Sequence, residues 1–225
     1  MKLLKQLSIT YKGELHNVKL VNFSVDLEEV IPLVPEGIKV RDFDGKAIIS
    51  MVNVKLRHMR PTGLPKGLSF DYQHVAFRLL VEDGPLNDGE NKGIFFLKSF
   101  TDKPMIVWGG NLMTNYRLTH AKITEKAAFR LEQGEHFIRY RLTDKPTPEN
   151  EMLKSMIGAI DRAYAIEEGR LMKTAIQREN WPIQWVHCTD FETSFFKSAR
   201  LLGAFEVREI IHYHWLPPVP VDGQS

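Results

Sequence analysis

The first half of the chain reads as strands: short runs rich in aromatic and β-branched residues, broken by Asp, Asn, Gly and Pro. FDYQHVAFRLLVE, from Phe70 to Glu82, and GIFFLKSF, from Gly93 to Phe100, are two such runs, separated by the polar turn DGPLNDGENKG. VRDFDGKAIISMVNVKL predicts a hairpin, because Asp44-Gly45 can take the left-handed conformation a two-residue turn needs. In HFIRYRL, Phe137, Arg139 and Arg141 alternate with Ile138, Tyr140 and Leu142, as in a strand with one wet face. That strand pairs with AKITEKAAFRL across Glu132-Gln133-Gly134-Glu135. One early exception is DLEEVIPLVPEG, where Asp26 and Glu29 have capping-box spacing for a short helix stopped by Pro32 and Pro35. After DKPTPEN the period lengthens. Met152, Met156, Ile160, Ala163 and Ile166 recur at three- and four-residue spacing, which predicts a helical excursion at about 149–180, packed on the sheet. ETSFFKSARLLG then predicts a short helix closed by Gly203, and AFEVREIIHYHWL a final strand. With no repeat or composition break, residues 1–225 are expected to form a single domain.

Composition narrows the classes. Hydrophobic residues make up 43% and charged residues 26% of 225, enough for a core without disulfides or a structural metal. A formal charge of +2 argues against nucleic acid and anionic membrane as partners. A single cysteine, Cys188, allows no internal disulfide, and no apolar run approaches a membrane span, so a cytoplasmic protein is expected.

The segment WGGNLMTNYRLTHAKI, Trp108 to Ile123, sets Asn115, Tyr116, Arg117 and His120 between strand-like stretches, as a pocket wall or as a crossover loop. Arg78, inside an apolar strand, needs a carboxylate or a bound anion if it faces inward. Arg57 and Arg60 lie beside the first strands. Lys98 would share a face with Ile94, Phe96 and Phe100 in a regular strand; burial there would lower its pKa, and reaching water along its stem is the preferred reading. His212 and His214 share a strand face, but two ligands do not make a zinc site, so no metal is expected. Cys188 next to His187 reads as a lone buried thiol, since strand neighbours point to opposite faces.

These residues carry a family resemblance. DLEEVIPLVPEGIKVRDFDGKAIISMVNVKLRHMRPTGLP, followed by AFRLLVE, KGIFFLKSF, NYRLTHAKI and the closing EIIHYHWLPP, resembles the acetoacetate decarboxylase-like superfamily, closest to an uncharacterised bacterial branch catalogued as a domain of unknown function. The resemblance covers most of Asp26 to Thr143 and about the last ten residues, with His214 where the branch's closing signature has proline. It implies an α+β fold, mainly antiparallel β: a strongly curved sheet closing into a barrel or cone around a central cavity, with peripheral helices. It also implies homo-oligomers. The family's decarboxylases form a Schiff base on one of two adjacent lysines, and the positions that match hold Leu118 and Thr119. Arg117 cannot substitute, because its guanidinium stays protonated. The family's glutamate four residues before Arg78 is replaced by His74.

Two functions follow as expectations. The first is a cavity binding a small acidic organic ligand through Arg78, Tyr116, Arg117 and His120, without orthodox decarboxylase activity and without a cofactor. The second is an enzyme of lyase or hydrolase type on the same scaffold, with His74 or His120 as acid or base, Tyr116 as hydrogen-bond donor and Arg117 or Arg78 as anion clamp.

Overall fold

The computed structural model describes residues 9–87, 89–113, 118–145 and 148–221, with only the backbone of 109–113. In chain order the elements are β1 (Tyr11–Asp26), α1 (Leu27–Val30), β2 (Lys46–Pro61), β3 (Phe70–Leu80), β4 (Gly93–Thr101) and α2 (Pro104–Met113). Next come β5 (Leu118–His120), β6 (Lys122–Glu125), β7 (Phe129–Gln133), β8 (His136–Thr143) and α3 (Glu151–Gly158). The last are β9 (Arg162–Glu167), β10 (Arg170–Arg178), β11 (Gln184–Thr193), β12 (Arg200–Val207), β13 (Ile211–Trp215) and β14 (Val219–Pro220).

Seven strands close a mixed barrel in the order β13-β10-β9-β4-β3-β2-β1, sealed where β1 pairs β13 from Tyr11↔Trp215 to Leu15↔Ile211. The pairings are antiparallel except that β4 runs parallel to β9 and to β5. Further along β1, Val18 to Ser24 pair instead with β12, which leads through β11, β8 and β7 to β6. This extension folds over the outside of the barrel. The middle strands are therefore covered on both faces, and β2 from Ala47 to Val54 is buried throughout. One core lines the inner face with Leu20, Val52, Val54, Tyr72, Ala76 and Ile94, and continues under Leu153 and Ile157 of α3. A second core lies between the layers, where Phe23, Met51 and Phe77 meet Leu131, Ile138 and Tyr140. No helix among the described residues is long and apolar enough to cross a membrane.

Several expectations hold. Asp44 (φ 53°) and Gly45 (φ 78°) form the left-handed turn predicted there, closed by the single bridge Phe43–Lys46, while the arm before it forms no strand and β2 pairs with β1 and β3 instead. The curved, closed, mainly antiparallel sheet is the fold the resemblance implied.

Others are corrected. The helical excursion at about 149–180 is a helix only over α3; β9 and β10 follow as barrel strands, joined by a tight turn at Glu168 (φ 50°) and Gly169 (φ 78°). Barrel strands bury residues on both faces: Ala163 packs in the first core, while its neighbour Tyr164 packs with Val81 and Leu171. That erases the two-residue alternation by which a half-wet strand is recognised. The predicted helix in ETSFFKSARLLG is absent. Residues 194–199 turn, and Gly203 lies inside β12 at φ 152°, where a Cβ would meet the Trp185 ring at 2.8 Å. The final run divides into β12 and β13, which pair with different lengths of β1. The capping box does not form. Asp26 makes no cap hydrogen bond and pairs with Lys46, while Glu29 accepts from the Ser198 amide at 3.1 Å and its hydroxyl at 2.6 Å.

Candidate functional site

Polar side chains collect on the inner face of the barrel. Strand alternation sends Tyr72, His74, Ala76, Arg78 and Leu80 of β3 inward, and Val75, Phe77 and Leu79 outward into the second core. Arg78 stands in register with Ser50 of β2, and Ser50 with Asn22 of β1, so three polar residues form a row across three central strands. Asn22 and Ser50 are fully buried and Arg78 is 6% exposed. Ser99 and Thr101 of β4, opposite Ala76 and His74, are also fully buried.

The Arg78 guanidinium donates through Nε to the Ser50 carbonyl at 3.2 Å and through Nη2 to the Ser50 hydroxyl at 2.8 Å. Its Nη1 has no hydrogen-bond partner among the described residues, and no described carboxylate lies within ion-pair distance. Burial, and then repulsion from Arg178, push its pKa down to about 9, which leaves it charged at neutral pH. His74 is likewise buried. Desolvation, and then the Arg78 charge, push it down to about 4, so its imidazole is neutral at pH 7. Its ring lies 6.1 Å from that of Tyr72, and the hydroxyl of nearby Tyr213 donates to the Met59 sulfur at 2.9 Å.

The remaining candidates are placed as follows. Tyr116 and Arg117, with Asn115, lie outside the described residues. His120 is exposed at the end of β5, in register with Thr101. Leu118 is buried, and the Thr119 hydroxyl donates to the Ser99 carbonyl at 3.2 Å; neither side chain offers an amine. Lys98 does not share a face with Ile94 and Phe96. A bulge opposite Phe77 and Arg78 turns it outward, half-buried, with Nζ 5.7 Å from the Phe195 ring. Arg57 is exposed and paired with Asp71 at 2.7 Å, and Arg60 donates to the carbonyls of His58 and Leu64. Cys188 is half-buried, its thiol pushed up to about 12 by burial and by Asp190. His212 and His214 are exposed on one face of β13, and His214 lines an open groove of about 460 Å³ with Thr10, Pro61 and Thr62. No group of three or more potential metal ligands occurs among the described residues.

Sequence reasoning missed Asn22, Ser50, Ser99, Thr101 and Arg178. Asn22 and Ser50 carry a readable signal, each an uncharged polar residue inside an apolar strand on the same alternation as its inward neighbours; Ser99 and Thr101 do not, because the bulge in β4 shifts them from the alternation of Ile94 and Phe96.

The sequence matches DUF2071, described as an uncharacterized conserved protein, over residues 12–216. The chain belongs to this family. No curated protein matches the DUF2071 chain. Solved structures share its fold. An acetoacetate decarboxylase-like enzyme from Sphingomonas wittichii RW1 superposes with a TM-score of 0.62 at 12% identity, covering 95% of this chain and 94% of that one. Acetoacetate decarboxylase from Legionella pneumophila gives 0.61 at 11% identity, covering 92% and 86%. The enduracididine biosynthesis enzyme MppR, complexed with pyruvate, gives 0.56 at 13% identity, covering 97% and 92%. At these identities the likeness is one of fold. This DUF2071 protein has the acetoacetate decarboxylase-like architecture.

Proposed function

We propose that the barrel interior binds a small acidic organic molecule, with Arg78 as the group that holds its carboxylate. The observation that carries this is the buried Arg78 guanidinium, 6% exposed and without a described carboxylate partner. A buried charge that lacks a counter-charge costs several kcal/mol, and a bound carboxylate would offset that cost. Pyruvate in MppR, a protein of the same fold, is a ligand of this chemical kind.

The test is thermal unfolding with acetate, butyrate and pyruvate as probes. Ligand at a hundred times its Kd adds about 2.7 kcal/mol to stability, a shift of several degrees. Arg78→Met should be at least as stable as the parent without ligand, since it removes an uncompensated charge, and should lose the response to acids. Destabilisation of the unliganded variant, with no acid effect on the parent, would make Arg78 a structural residue instead.

One observation favours catalysis at the same place. His74 lies four residues from Arg78 on the same face of β3, with a neutral imidazole. On this second reading it would take a proton from an acid held on Arg78. His74→Gln should then keep acid binding and lose turnover. Orthodox decarboxylase chemistry is not proposed, because the family resemblance sets Leu118 and Thr119 against the lysine positions.

A further inference from the structure

Asn22 stands beside the head group of Arg78. The Arg78 side chain reaches over β2, where Nε donates to the Ser50 carbonyl at 3.2 Å and Nη2 to the Ser50 hydroxyl at 2.8 Å. Ser50 is in turn the register partner of Asn22 on β1. Partnered residues on one face of an antiparallel pair hold their Cβ atoms about 4.5–5.5 Å apart. Both side chains lie on the inner face. Leu20 and Val52, two residues away on their strands, belong to the inner core, whereas the adjacent Val21, Phe23, Ile49 and Met51 belong to the outer one. The Arg78 guanidinium and the Asn22 amide therefore share Ser50 as a neighbour.

Only half of the Asn22 amide is used. The residue is fully buried, and Nδ2 donates to the Leu20 carbonyl at 3.4 Å and to the Gly203 carbonyl of β12 at 3.3 Å. Both partners are acceptors, so the NH2 group must face them, and this orients Oδ1 the other way. The bond to Gly203 ties β1 to β12 where their register shifts, which accounts for Nδ2. Oδ1 is buried and has no hydrogen-bond partner among the described residues. An acceptor in that condition costs stability until a donor reaches it. The interior thus offers a cation for a carboxylate and, one residue further across the sheet, an acceptor that needs a donor. A ketone oxygen brings no donor. An ammonium group brings one, but the adjacent guanidinium repels it. A hydroxyl donates and carries no charge.

We infer that Asn22 is a specificity-determining residue of the barrel interior, selecting 2-hydroxy acids by accepting a hydrogen bond from their hydroxyl through Oδ1 while Arg78 holds the carboxylate. This rests on the proposal that Arg78 holds an acid. The hydroxyl of such an acid is one carbon from its carboxylate, which suits two groups that share one serine as a neighbour. Asn22 lies to one side of Arg78, so the two enantiomers of the acid are not equivalent to the site.

The experiment is calorimetric titration of the whole protein with propionate, pyruvate, D-lactate and L-lactate, which share one carbon skeleton and one charge, at constant pH and ionic strength. One lactate enantiomer should bind about tenfold more tightly than propionate or pyruvate, the size of one hydrogen bond to a buried group. Asn22→Leu, close in volume and without the acceptor, should bring that lactate down to the propionate affinity and leave propionate within about twofold. A merely structural Asn22 would weaken all four acids alike, so the ratio of affinities is the deciding readout. Asn22→Asp tests the placement separately: it sets a carboxylate beside Arg78 and should weaken every acid by about tenfold or more. The ratio is measured in the parent as well, should either variant fail to fold. Equal binding of the four acids by the parent, with loss of all in Arg78→Met, overturns the role of Asn22 and leaves the acid site standing. An unchanged lactate preference in Asn22→Leu, or unweakened binding in Asn22→Asp, does the same. No binding of any acid overturns both.

Discussion

His74 ties the site to the acid side of the stability curve. Its folded pKa, about 4, lies below the 6.5 of a free imidazole, so the unfolded chain binds more protons between those values. Stability contributed by the neutral ring is full above about pH 6.5 and is lost as pH falls through about 4, at a cost of up to roughly 3 kcal/mol. Urea midpoints measured across this range should fall steadily in the parent and less steeply in His74→Gln. Parallel curves would show that His74 is not the group responsible. His74 and Arg78 were legible in the sequence because both sit in one unmistakable strand, and an inward arginine demands a counter-charge. Arg178 was not, because the helical spacing of Met152, Met156 and Ile160 hid the strand that carries it. Lys98 points outward, in line with the preferred reading, but the face it was expected to share with Ile94 and Phe96 is broken by a bulge that no residue pattern announces.

The elements that bear these residues are fastened by a few buried polar knots. The tightest joins the turn before β4 to β9. Asp83, 1% exposed, accepts from the Lys92 and Gly93 amides and the Tyr164 hydroxyl, each at 3.0 Å, and pairs with Arg162 at 2.9 Å. Gly93 is required beside it, since a Cβ there would lie 2.7 Å from Asp83 Oδ2 and closer still to Tyr164. Asp83→Ala should therefore cost about 3–5 kcal/mol in urea unfolding, because Arg162 loses its buried partner and two amides lose their acceptor. A loss under about 1 kcal/mol would show that solvent replaces the carboxylate. At this scale the sequence is legible where turn chemistry is strong, as at Asp44-Gly45. It is less so at Glu168-Gly169, which has the same left-handed pair but follows a strand without clean alternation. The DGPLNDGENKG segment reads as a polar turn, yet its first residue is among the most buried charges described, a fact set by partners distant in sequence.

The whole molecule depends on strands covered on both faces. β2 lies between β1 and β3 with one core inside the barrel and another outside it. Its amides should exchange with deuterium only through global unfolding, whereas those of the short β6 and β14 should exchange by local opening. Rapid exchange from Ile48 to Val54 would show that the two layers separate readily. The closed sheet was legible only through family resemblance, because strand order depends on pairings between residues far apart in the chain, which no local pattern encodes. One of those pairings, Tyr11 to Leu15 with Ile211 to Trp215, has a consequence for biogenesis. The ribosome releases β1 first and the strand that seals it some two hundred residues later. Until then β1 to β4 lack the strand that closes the barrel. The interior that buries Arg78 and His74 is complete only once that seam closes, a pairing of high sequence separation that is slow to form.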